Sequence, residues 1–144
     1  MKKPLCVMAL VCIGMLLVSC GSNRLGDPKA QFIRDFGLNI EKKDCVLEEL
    51  FNNYEGVPYE GIALYKLTIG EDVRQAFLQW ERFPFSEEAE CFLESLSAYA
   101  ELPSIADGYW KMVDRNPGTS AYTNVSLCVY DGATGAAYLL TMDI

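Results

Sequence analysis

Positions 5 to 18 are apolar apart from Gly14, and Lys2 and Lys3 precede them. A run of about 14 apolar residues falls short of the ~20 that a helix needs to span a bilayer. A basic start, an apolar middle and a small-residue end are the layout of a secretory signal. Gly21, Ser22, Asn23, Arg24 and Gly26 follow as a polar leader with the composition of a flexible linker. The pattern divides the chain into a signal at 1–19, a leader at 20–27 and a globular part at 28–144.

Within the globular part, Asp27-Pro28 and Gly37 bracket a short helix with an N-cap, a first-turn proline and a C-terminal glycine, and Phe32, Ile33 and Phe36 fall on one face. Residues 45–54 carry two patterns. Val46, Leu47, Leu50, Phe51 and Tyr54 recur at helical spacing, yet a turn-rich link at 55–61 and a β-rich run from Ile62 to Ile69 follow, which suits a hairpin. Val73, Ala76, Phe77 and Trp80 stand at i, i+3, i+4 and i+7 behind Glu71 and Asp72, predicting a helix that stops before Pro84. A further helix starts at Ser86. Ala89, Phe92, Leu93, Leu96, Tyr99 and Ala100 form its stripe, Glu87, Glu88, Glu90 and Glu94 face away, and Pro103 ends it.

The last third turns to strands at 108–115, 124–130 and 136–143, separated by Asn116-Pro117-Gly118-Thr119 and Asp131-Gly132-Ala133-Thr134-Gly135. Val125, Leu127 and Val129 alternate with Ser126, Cys128 and Tyr130, the pattern of a half-buried strand. Whether Tyr138 and Leu140 or Leu139 and Thr141 share the face of Val125 is a one-residue register choice. Together these elements predict a single α+β domain, an antiparallel sheet of about five strands with helices packed on one face.

Leu17-Val18-Ser19-Cys20-Gly21 resembles the lipobox of bacterial lipoproteins. The resemblance implies that the Cys20 thiol carries a diacylglycerol, that the signal is cut just before it, and that palmitate and related chains hold the protein to a membrane, facing outside the cytoplasm. Two acyl chains make a stable anchor where one is marginal. Gly21, rather than an aspartate, implies the outer membrane in an organism that has one. The runs 108–115, 124–131 and 138–143 resemble the closing strands of small, uncharacterised exported lipoproteins in which a hairpin precedes the helices, and that likeness favours a hairpin at 45–69. It brings no assigned activity.

Charge and composition narrow the function further. The chain carries −8, and removing residues 1–19 takes away Lys2 and Lys3 and no acid, so the body becomes −10. That is the wrong sign for a nucleic-acid partner. No histidine is present, which removes the commonest general base and metal ligand. Cys45, Cys91 and Cys128 remain after Cys20, compatible with one disulfide and a spare thiol or with three buried free cysteines.

The remaining constellations are weaker. Most acids sit on a helix's polar face or in turns. The loop at Asp131-Gly132-x-Thr134-Gly135 lacks the alternating oxygens and distal glutamate of a calcium loop and reads as a hairpin turn. Gly118-Thr119-Ser120 lacks the lysine of a phosphate loop, and Asn124-Val125-Ser126 falls inside a strand. Tyr109, Trp110, Tyr122, Tyr130 and Tyr138 suit either an exposed binding platform or packing under the helices, with packing the ordinary outcome.

No catalytic residue, cofactor or metal is assigned. The expectation is a lipid-anchored, non-catalytic binding module of the cell envelope. It would meet the membrane through the lipid on Cys20, with an envelope protein or polymer as partner. The alternative is a small envelope hydrolase using paired carboxylates.

Overall fold

The computed structural model describes residues 27–41, 44–55, 60–119 and 121–144. The signal at 1–19, the lipobox with Cys20 and the leader up to residue 26 lie outside the described residues. The chain opens with α1, which is α-helical over Pro28–Gln31 and continues as a π-helical turn over Phe32–Phe36. Asp27 caps it by accepting from the Lys29 amide, and Gly37 closes it at φ 67°. The rest follows as β1 (Val46–Asn52), β2 (Gly61–Thr68), α2 (Glu71–Phe77), β3 (Glu81–Arg82), α3 (Glu87–Leu96), β4 (Gly108–Asp114), β5 (Asn124–Asp131) and β6 (Ala136–Asp143).

The strands form one antiparallel sheet in the order β1-β2-β6-β5-β4-β3. This is the expected α+β domain, with six strands rather than about five among the described residues. The sixth, β3, is two residues long and pairs Glu81 with Trp110. The hairpin at 45–69 is present as β1 and β2. Register between β5 and β6 sets Leu127 opposite Leu140 and Val129 opposite Tyr138, so Tyr138 and Leu140 share the face of Val125.

Two expectations change together. Helices cover both faces of the sheet, not one, and β5 is buried from Val125 to Asp131 on both sides rather than half-buried. On the first face Tyr65, Leu67, Cys128, Tyr130 and Leu139 pack under Phe32 and Phe36 of α1 and Val73 and Phe77 of α2. On the second, Leu64, Val125, Leu127, Tyr138 and Leu140 pack under Ala89, Phe92 and Leu96 of α3. Strand side chains alternate between faces, and here both alternating sets meet a helix. The small, uncharged Ser126 and Cys128 tolerate that burial. In α1, Ile33 is exposed and Gln31 is the residue buried beside Phe32 and Phe36, so the expected three-residue apolar face is reduced to two rings.

The double pattern at 45–54 has a structural cause. Register between β1 and β2 slips between Glu49 and Phe51, leaving Leu50 as a bulge. One extra residue inverts the facing of everything after it. Leu47 packs into the first core and Phe51 into the second. Apolar residues spaced i, i+3 and i+4 thus arise from a bulged strand covered on both sides.

Candidate functional site

The end of the sheet where β1 leaves and β2 begins, and where β6 finishes beside the start of β5, carries the two features with chemical potential. Each sits on a different face.

On the second face, beyond the C-terminus of α3, lies an open cleft of about 680 Å³. Its apolar floor comes from Ile62, Leu96, Met142 and Ile144. Tyr99 and Tyr122 add aromatic lining. Tyr122 is held edge-on against Phe92 at 5.6 Å and donates its hydroxyl hydrogen to Glu88 O at 3.3 Å. Tyr99, past the end of α3, is 56% exposed. Asn53, Glu55 and Glu60 are exposed and give the cleft a polar rim. Asn53 ties this rim to the sheet, its Oδ1 accepting from the Ile62 amide at 2.7 Å.

Glu55 and Glu60 face each other across a single antiparallel bridge, each amide donating to the other's carbonyl, at 3.0 and 3.2 Å. Directly opposed residues of such a pair project to the same side, and like charges there repel. Among the described residues neither glutamate forms an ion pair.

On the first face the same sheet end holds a polar knot. Arg115 follows β4 and donates to Asp35 Oδ2 at 2.7 Å, to Ser126 Oγ and to Asp143 Oδ1. Ser126, fully buried, donates to Asp35 Oδ2 at 2.8 Å and accepts from Gln31 Nε2 at 2.8 Å. Tyr54 donates to Asp143 Oδ2 at 2.7 Å and lies 3.0 Å from Thr141 Oγ1. Burial alone would raise the Asp35 pKa. Hydrogen bonds from Arg34 and Ser126 and the positive charge of Arg115 outweigh it and hold the carboxyl below its usual value. Burial and the neighbouring Asp143 push the Tyr54 phenol up, so it stays a donor. Every member is thereby committed to another. The knot docks α1 on the sheet and fixes Asp143, a residue that also lines the cleft.

The residues singled out from the sequence fall as follows. Trp110, Tyr130 and Tyr138 are buried, and Tyr109 and Tyr122 partly so; they divide between the two faces. They are packing residues rather than an exposed row, with Tyr122 alone reaching the cleft. Glu87, Glu88, Glu90 and Glu94 lie on the solvated side of α3. Asp131 spends both carboxylate oxygens on its own turn, accepting from the Ala133 amide at 2.9 Å and the Thr134 hydroxyl at 2.6 Å. Cys45, Cys91 and Cys128 are free thiols, but only Cys128 is buried, Cys45 being partly so and Cys91 exposed; burial raises the Cys128 pKa well above that of an ordinary thiol. Among the described residues no three metal-ligating side chains converge.

Sequence reasoning did not find Glu55, Glu60 or the Arg115 knot. One faint signal exists: Gln31 and Asp35 are polar residues four apart on the same side as Phe32 and Phe36. Comparison of the chain with protein-family models, curated proteins and solved structures gave no match.

Proposed function

We propose that this is a lipid-anchored extracytoplasmic protein of the bacterial cell envelope, tethered through Cys20, and that its folded body is a non-catalytic binding module acting through the cleft beside α3. The cleft carries the binding part of the reading. Its volume is within the usual range for small-molecule sites, and an apolar floor with a few polar groups at the rim is their common make-up. A small ligand or the end of an envelope polymer fits it better than a broad protein interface does. The anchor rests on the lipobox residues Leu17, Ser19, Cys20 and Gly21.

Replacing Cys20→Ser tests the anchor. The variant is expected to lose incorporation of labelled palmitate and to leave the membrane fraction. Unchanged retention would overturn the tether.

A second reading has one observation in its favour: Glu55 and Glu60 bring two carboxylates together at the cleft mouth. An envelope hydrolase would use one as acid and the other as base or nucleophile. Both side chains are exposed, whereas the proton donor of such a pair is typically held in an apolar pocket. The binding reading is therefore preferred.

A further inference from the structure

We infer that the cleft takes a small organic cation, an ammonium group on an apolar body about the size of one ring. This rests on the reading of the cleft as a binding site and adds the chemistry of its ligand.

Three observations lead there. First, the charged residues of the lining have one sign: they are Glu55, Glu60 and Asp143, with no lysine or arginine among the described residues that line the cleft. Asp143 is neutralised by Arg115 on the other face. Glu55 and Glu60 keep the uncompensated charge among the described residues.

Second, those two glutamates oppose each other directly across a backbone bridge. That arrangement costs stability when empty and is relieved by a positive charge placed between or above the pair. Two carboxylates alone make a poor metal site, since calcium takes six to eight oxygens. An ammonium needs only a few acceptors.

Third, the same cleft that holds the pair is lined by Tyr99 and Tyr122 together with Ile62 and Met142. An aromatic wall beside a carboxylate rim attracts a cation through the ring face, and the floor below it buries an apolar body. An anion would meet repulsion at the rim, and a neutral apolar molecule would use the floor only.

The test is calorimetric titration of the full chain in neutral detergent micelles with three probes of one shape: phenethylammonium, phenethyl alcohol and hydrocinnamate. The ammonium is expected to bind at least tenfold tighter than the alcohol, and hydrocinnamate more weakly than either. In Glu55→Gln/Glu60→Gln the ammonium should fall to the affinity of the alcohol, while the alcohol itself is unchanged. Both positions are exposed, and a retained thermal transition shows that the fold survives.

Equal binding of ammonium and alcohol, or tighter binding of hydrocinnamate, overturns the cation while leaving the cleft as a binding site. No binding of any probe at millimolar concentration overturns the cleft itself. Displacement of the ammonium by equimolar calcium assigns the glutamate pair to a metal and overturns the organic cation.

Discussion

Asp35 keeps a negative charge on a side chain only 3% exposed, and it does so because Arg34, Arg115 and Ser126 all point at it. Its pKa lies below the unfolded value of about 3.9, so the sign of its pH linkage is fixed. The stabilisation is fully present above that unfolded value and is lost as pH falls through the lower folded one. Asp35→Asn should therefore flatten the acid limb of the Tm profile between about pH 5 and pH 2. At neutral pH it should cost about 2–4 kcal/mol, because Arg115 and Ser126 lose their charged acceptor. Urea titrations at several pH values check both expectations, and an acid limb as steep as in the parent chain would contradict the first. Nothing in the local sequence announces this residue. Asp35 sits in a helix beside Arg34, as any solvated pair would, and its partners are 80 and 91 residues away along the chain. Glu55 and Glu60 were equally hidden, since their shared direction depends on the facing of two strands.

At the scale of elements, the bulge at Leu50 decides what β1 presents to each face. Leu50 is 46% exposed, so Leu50→Ala should cost little, within about 1 kcal/mol. Deleting Leu50 is a different perturbation. It would turn Leu47 or Phe51 out of its core and swing Tyr54 away from Asp143, and should cost several times as much as the alanine change. Chemical denaturation of the two variants makes the comparison, and similar losses would show that the bulge is incidental. The same element shows where sequence reading stops. The strands at 108–114, 124–131 and 136–143 were legible because Asn-Pro-Gly and Asp-Gly turns mark their ends. The helix at 87–96 was legible because its glutamates and its Ala89, Phe92 and Leu96 separate cleanly. At 45–54 the pattern misleads, since a bulged strand covered on both faces reproduces helical spacing. The helices on both faces were missed for a related reason: Ser126 reads as a solvent-facing position, yet it is buried because Asp35, Arg115 and Gln31 satisfy it.

For the whole molecule, β6 matters most. It pairs with β2 over eight residues on one side and with β5 over seven on the other, and every residue from Ala136 to Met142 is buried. Without it the sheet falls into a two-stranded hairpin and a three-stranded remnant, each with an apolar edge exposed. A chain ending at residue 135 is expected to show no cooperative thermal transition and an unfolded circular dichroism spectrum; a retained sharp transition would mean that one half holds together alone. At Gly108 a Cβ would stand 1.9 Å from the Tyr130 carbonyl oxygen, so β4 also has a fixed seat against β5. The strand that joins the two halves also comes after all the other described elements in chain order. Partial pairing of the earlier strands therefore leaves raw edges on both sides, and closure of the sheet waits on the segment farthest along the described sequence.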